Sequence, residues 1–326
     1  IMRHSGVSYD QLDAASTEGR LNLQHLNISD ISAHLVLKAL KDDSLNLNIK
    51  KLSFNEQSGL QVKQLTLHAE ASLTQATLKD FLLQLPYSNL QLGDISARYQ
   101  IADGALKKGS LVYRGTIEES DITFSDIRCL NPDIQSFSNN LMLAASFSGT
   151  DNSLDIHNLT ANASDGNIDI HASGFIHHWD NVPAWQGQIS RLALSPEALA
   201  FAQKNTGLPE FVTRFGKVVM DGEAEGAGHA VNAKTILSSD AGTFNLLFDM
   251  NQQQHFTGHV ESDGIQLNRL FADEQFGLAA MDLDFNGRLL KGQKPDINAQ
   301  GTLARFGYNG YEYHNIDLAL DYQEQD

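Results

Sequence analysis

The chain has 326 residues, 41% apolar and 19% charged, with a formal net charge of −17. That balance excludes a disordered polyelectrolyte and a bundle of membrane-spanning helices. The acidic excess works against nucleic-acid binding, which rests on Lys and Arg neutralising phosphates, and against flat adsorption on an anionic membrane. Cys129 is the single cysteine, so no intrachain disulfide can form, which is neutral on compartment.

Residues 1–20 are polar and weakly patterned, and partial order is expected there. Alternation of apolar and polar residues begins at Leu21-Asn-Leu23 and continues through Ile31, Ala33, Leu35 and Leu37. Leu45-Asn-Leu47-Asn-Ile49 is a clean half-buried strand pattern, and Ser58-Gly59 marks a turn before Leu60-Gln-Val62 and Leu65-Thr-Leu67. Further strands are predicted at Leu90-Gln-Leu92, Ile95 to Ile101, Leu111-Val-Tyr113, Ile122-Thr-Phe124 and Leu141 to Phe147.

The stretch from Phe147 to Ile189 organises the rest. Leu154-Asp-Ile156 and Ile168-Asp-Ile170 alternate on either side of Asp165-Gly166, and Trp185-Gln-Gly187-Gln-Ile189 closes the run. The pattern returns downstream, where Gly242 and Phe244-Asn-Leu246 match Gly166 and Ile168-Asp-Ile170, and Phe256-Thr-Gly258-His-Val260 matches the Trp185 run. The paired glycines 166 and 242, and 187 and 258, are offset by 76 and 71 residues. A strand-only repeat of that length predicts stacked hairpins, with units near 141–215 and 216–275. Asp-Gly at 103–104, 165–166, 221–222 and 263–264, and Asn309-Gly310, are hairpin-turn dipeptides. Gly222 to Gly228, with its two glutamates, is expected to be a flexible turn. Met281-Asp-Leu283-Asp-Phe285 and Ile316-Asp-Leu318 are later strands.

Two places break the alternation. Ser195-Pro196-Glu197 carries a cap, a first-turn proline and an acid suited to a helix N-terminus, with Gly207 as the stop. Pro209 to Phe215 adds a turn or two. Ile265 to Phe271 occupies the matching place in the next repeat. These excursions either cap an open end of the sheet or are ordinary loop packing.

Catalytic and metal-binding constellations are not found. The 12 histidines are scattered, and the adjacent pair His177-His178 sits where a turn is expected. Carboxylates such as Asp155, Asp169, Asp282, Asp284 and Asp317 occupy polar strand positions, so they belong to a solvent face. Cys129 has no nearby histidine and reads as a small buried apolar residue. No cofactor, metal or enzymatic activity is expected.

Strands following strands without intervening helices predict an all-β fold: an elongated antiparallel β-taco or trough, an incomplete barrel of repeated hairpins with short helical excursions. The apolar face of such a meander is either filled by its own side chains, as in a sandwich or solenoid, or left open as a groove.

The hairpin repeat, the Leu194-Ser-Pro-Glu-Ala-Leu199 excursion and the closing Phe306-Gly-Tyr-Asn-Gly-Tyr-Glu-Tyr313 run resemble the AsmA-like/TamB superfamily, in particular TamB-like proteins of the Bacteroides-group type. The likeness is diffuse, strongest from Leu141 onward, and rests on pattern with no single specific motif. It implies an inner-membrane-anchored protein whose β-groove crosses the periplasm and moves phospholipid between the two membranes. A second implied role is assembly of outer-membrane β-barrels with an Omp85-type partner. On this reading residues 21–326 are a periplasmic segment of a longer protein, its anchor outside the sequence. Leu154, Ile156, Ile168, Ile170, Phe244, Leu246, Phe248, Leu283 and Phe285 then line the groove against phospholipid acyl chains. The alternatives are a scaffold that offers a sheet edge to a client strand and an adhesin-like solenoid with a packed interior.

Overall fold

The computed structural model describes residues 1–13, 19–41, 44–130, 140–206, 208–288 and 296–323. The chain is all-β apart from short helices, its strands antiparallel and not closed into a barrel. It divides into two compact units, Ile1–Gly166 and Asn167–Asp326.

The first unit is a meander of β1 (Met2–Asp10), β2 (His25–Lys41), β3 (Ser44–Glu56), β4 (Gln61–Ala71) and β5 (Gln75–Gln84), each paired with the next. Beyond β5 lie two short strands, β6 (Asn89–Gln91) and β7 (Ile95–Arg98), both paired with β5 and with β10 (Val112–Ile122). They act as one interrupted strand. At the break, the Gly93 N–H donates to the Thr116 carbonyl at 3.1 Å, and a Cβ on Gly93 would collide with the Thr116 hydroxyl. A small hairpin of β8 (Ile101–Ala102) and β9 (Ala105–Leu106) stands apart. The helical turn α1 (Phe124–Ile127) precedes β11 (Leu141–Thr150) and β12 (Ser153–Ala163), which complete the order β10-β11-β12.

The second unit repeats the scheme without the very short strands of the first. In order they are β13 (Ile168–His177), β14 (Ala184–Leu194), β15 (Val218–Ala227), β16 (Ala230–Ser239), β17 (Gly242–Met250), β18 (His255–Gln266), β19 (Phe276–Arg288), β20 (Asp296–Tyr308) and β21 (Tyr311–Gln323), each paired with its sequence neighbour. The helix α2 (Pro196–Thr206) and a 3-10 helix (Glu210–Phe215) join β14 to β15, and α3 (Leu267–Phe271) joins β18 to β19. Ser195 caps α2, its hydroxyl accepting from the Ala198 N–H at 3.2 Å. The expected stop at Gly207 lies outside the described residues. Along the chain the helical excursions begin at residues 124, 196 and 267, the second and third each after a further four strands.

Several expectations are corrected. Met2–Asp10 is a strand although residues 1–20 are weakly patterned. All but one of its residues are exposed, so no buried face imposes alternation on its sequence. Leu21 to Leu23 lies outside the strands, and β2 starts at His25. Phe124 opens α1 rather than ending the preceding strand. Asp103-Gly104 and Asn309-Gly310 do turn the chain, with φ of 53° and 78°, and 51° and 77°, as a two-residue hairpin turn of the primed type requires. Asp221-Gly222 and Asp263-Gly264 are instead inside β15 and β18. The Gly222–Gly228 run is mostly strand as well. Glu223 and Glu225 face solvent while Gly222, Ala224 and Gly226 face the other way, an alternation written with small residues in place of large apolar ones.

One buried charge fixes a turn of the first unit. Glu56 is 5% exposed at the end of β3. Its carboxylate accepts the backbone N–H of Ser58 at 2.8 Å, that of Asn27 in β2 at 3.2 Å, and the Ser58 hydroxyl. Burial pushes the Glu56 pKa up, but these hydrogen bonds together outweigh it and hold the group below the ordinary carboxylate range. The lowered folded-state value means that the stabilisation is present above the unfolded-state pKa and is lost as pH falls through the folded one. The substitution E56Q is expected to cost about 1–3 kcal/mol at neutral pH. The difference in melting temperature from wild type should shrink steadily as the melts are repeated at lower pH; a difference independent of pH would show that the charge does not matter.

Candidate functional site

The face that carries the predicted lining residues can be traced strand by strand, because residues directly opposite in an antiparallel pair share a face. In the second unit Ile170 lies opposite Leu192, Leu192 opposite Met220, Met220 opposite Leu237 and Leu237 opposite Phe244. Ile168 starts the adjacent row, through Leu194 to Val218. Leu246 continues to Val260 and Leu283, and Phe248 to Gly258 and Phe285. Seven of the nine predicted residues therefore belong to one face of this unit. Leu154 and Ile156 belong to the first unit, opposite Gly149 and Phe147 of β11.

The rows through these residues, from β13 across to β21, contain no Asp, Glu, Lys, Arg or His. Ionisable groups stand on the opposite face. There Asp169 is held below the ordinary carboxylate range by a hydrogen bond from Arg191, with a further contribution from His171 at 2.9 Å. His259 is raised above the usual imidazole range, chiefly by its 2.9 Å hydrogen bond to Asp284, with Asp282 at 3.7 Å and Glu261 adding their charge. Among the described residues no three His, Cys, Asp or Glu side chains converge on a possible metal position.

The uncharged face is shielded without being sealed. Ile168 is buried at 8% exposure; the other six predicted residues of this face are half-buried, as are Leu154 and Ile156 in the first unit. Sequence reasoning missed a packing device present in each unit separately, an interlock of aromatic rings with glycines directly across the ladder. β10 carries Tyr113-x-Gly115 and β11 carries Phe147-x-Gly149, and the antiparallel register sets Tyr113 opposite Gly149 and Phe147 opposite Gly115. β18 and β19 repeat the arrangement, with Phe256 opposite Gly287 and Phe285 opposite Gly258. Trp185 lies over Gly226 in the same way. A Cβ on Gly115 would fall 2.9 Å from the Phe147 ring, one on Gly226 2.9 Å from the Trp185 nitrogen, and one on Gly287 2.6 Å from the Phe256 ring. A Cβ on Gly258 would land inside the Phe285 ring envelope. Phe256 extends the contact to Phe248 at a centroid distance of 5.8 Å and to Phe285 at 6.2 Å. Tyr113 also donates its hydroxyl to the Ser153 carbonyl at 3.1 Å, and burial, aided by Asp155, pushes its pKa up. The signal was legible as the shared aromatic-x-Gly of Trp185-x-Gly187 and Phe256-x-Gly258, read only as a repeat marker.

The helical excursions lie at one end of the face in the second unit. Phe215 of the 3-10 helix packs on Phe244 at 6.0 Å. Two reciprocal bonds join the excursions: Arg214 Nη1 donates to the Leu270 carbonyl at 2.8 Å, and Arg269 Nε to the Arg214 carbonyl at 2.9 Å. Asp240 accepts from Arg269 at 3.4 Å and from the Lys217 N–H at 2.9 Å.

No helix among the described residues is long and apolar enough to cross a membrane. No family model matches the chain, and no curated protein or solved structure matches it.

The interlock makes a direct prediction. G258A is expected to destabilise the protein by about 1–3 kcal/mol through overpacking against Phe285. In a double-mutant cycle with F285A the two costs should be strongly non-additive, as for residues in contact. Additive costs, read from denaturant midpoints, would mean that the ring does not occupy the glycine site.

Proposed function

We propose that the uncharged face is a groove for the acyl chains of phospholipid, and that the chain is a periplasmic segment of an envelope protein that conducts phospholipid between inner and outer membranes. One observation carries the reading. Nine strands in succession present a face without a single charged side chain, and among the described residues no second sheet lies over it within that unit. Exposing such a face to water is costly, at about 25 cal/mol per Å² of apolar surface. A lipid tail removes that cost and needs no polar partner. The compartment and the two membranes come from the resemblance to the AsmA-like/TamB superfamily.

The test is native mass spectrometry with lipid extraction on the protein purified from a Gram-negative host. Wild type is expected to carry phospholipid. L246D should lose most of it while keeping its β-sheet circular dichroism and its melting cooperativity, because the charge sits at the middle of the face. Retention of lipid by folded L246D would overturn the groove.

A second reading rests on a different observation. Among the described residues of its unit, β21 pairs with β20 alone and carries exposed Tyr311, Tyr313 and Leu320 at 70%, 46% and 50% exposure. An unpaired edge of this kind is a template for strand addition. A scaffold for outer-membrane β-barrel assembly, working with an Omp85-type protein, would use it. Lipid-free wild-type protein that crosslinks barrel strands at β21 would favour this reading.

A further inference from the structure

In the first unit the connection from β7 to β10 is extended outward as the β8–β9 hairpin, and residues 101–109 are all exposed. Its conformation is nonetheless fixed. Asp103-Gly104 makes the tight turn, and hydrogen bonds close the neck. The Lys107 N–H donates to the Gln100 carbonyl at 2.8 Å, the Gln100 N–H to the Ser110 hydroxyl at 3.0 Å, and that hydroxyl to the Lys107 carbonyl at 2.6 Å. The Asp151 carboxylate accepts the Gly109 N–H. At the base, Tyr99 ties the hairpin to the β4–β5 turn, its N–H donating to the Thr74 carbonyl at 2.9 Å and its hydroxyl to the Ser72 carbonyl at 2.8 Å. Leu73 is thereby brought to the same end. Leu73, Ile101, Leu106 and Val112 are 46%, 39%, 48% and 56% exposed. Apolar residues scattered singly on a surface need no explanation, but a group of them on one protruding end marks an interaction site.

The charge of this end runs against that of the chain. Residues 98–114 carry Arg98, Lys107, Lys108 and Arg114 against Asp103, and Asp151 joins them at the neck: four cations to two acids in a chain of net charge −17. Arg98 is exposed and lies opposite Val112 across the ladder, so a cation and an apolar side chain share a face at the base. The tip stands about 10 Å beyond the neck at roughly 3.3 Å per residue. That exceeds the screening length of about 8 Å at physiological ionic strength. The acidic excess that opposes flat adsorption of the whole chain is therefore largely screened at the tip.

We infer that the β8–β9 hairpin is a finger that contacts a membrane: Ile101 and Leu106 enter the interface of a bilayer containing anionic lipid, and Lys107, Lys108 and Arg98 meet its phosphates. Both halves of the patch are used. Apolar side chains reach the boundary of the acyl region, while lysine stems lie along it with their ammonium groups at the headgroups. Asp103 at the tip opposes the contact and limits its strength. The finger is a point contact, which is the mode of attachment open to a chain too acidic to lie flat on the same surface. It does not depend on what occupies the apolar face of the second unit, so its failure leaves the lipid groove standing.

The experiment is flotation of the purified protein with vesicles of phosphatidylcholine alone and of phosphatidylcholine mixed with phosphatidylglycerol. Wild type is expected to float with the mixed vesicles, not with the neutral ones, and to be released as salt is raised. K107Q/K108Q should weaken binding about thirtyfold through the loss of two charges at an anionic surface. I101S/L106S should abolish it, and D103N should strengthen it. The hairpin residues are exposed, so these variants are expected to melt like wild type. In L106W, brominated acyl chains should quench the added tryptophan beyond any quenching of native Trp179 and Trp185 in wild type. Absence of wild-type flotation, equal flotation with neutral vesicles, or unchanged flotation of I101S/L106S would overturn the finger. Quenching in L106W no greater than in wild type would do the same, whatever the serine variant does.

Discussion

The constraint on which the rest of the structure depends is the reciprocal seating of an aromatic ring over a glycine on the neighbouring strand. A sheet without a second layer has difficulty covering its apolar face, since no opposing side chains interdigitate with it. Large rings set opposite glycines solve part of that difficulty within one layer. Each ring covers backbone that would otherwise be wet, and each glycine removes the side chain that would push the ring away. The pairs also fix register. A slip of one residue would move every ring to the polar face, and a slip of two would set Phe285 against Phe256 or Val260 in place of Gly258.

Register in turn sorts charge. Once the rings are seated, every Asp, Glu, Lys, Arg and His along these rows falls on the far side, where Arg191 pairs with Asp169 and His259 with Asp284. These pairs are exposed, and pairs of this kind contribute little to stability. Their effect is to soften the repulsion of a strongly acidic face. The uncharged side is thus produced by the same alternation that makes the other side soluble. The exception is Glu56, whose charge is buried and satisfied by backbone donors at a turn, where it stitches β2 to the β3–β4 hairpin.

Much of this was legible in the sequence, and the reasons for the rest are specific. The alternation at Phe244-Asn-Leu246-Leu247-Phe248 and Met281-Asp-Leu283-Asp-Phe285 placed these residues on one face because large apolar side chains mark it. Seven of the nine chosen residues do share a face, through intermediates such as Val260 and Leu192 that a single strand's pattern cannot supply. The glycines misled. Asp221-Gly222 has the composition of a turn, but the glycine is on the covered face, opposite Ile189 in β14 and Thr235 in β16. Turn propensity and close packing both select glycine, and one sequence does not say which. Met2–Asp10 went unread for the opposite reason, as a strand with no buried face has nothing to alternate. The Arg214–Leu270 and Arg269–Arg214 bonds join residues some 55 positions apart, with carbonyl acceptors that leave no mark in the side-chain sequence.

The antiparallel order, in which nearly every strand of the second unit touches only its predecessor and successor, has a consequence for length. A closed barrel has a fixed number of strands, because adding two alters the tilt, stagger and diameter of all the others. An open meander obeys no such condition. Its stability is close to a sum of neighbour terms, so a block of four strands and a helical excursion could be gained or lost by duplication or deletion, with new contacts needed only at the seams. Such a protein can be matched to a distance in the way a ruler is cut, while its cross-section stays the same.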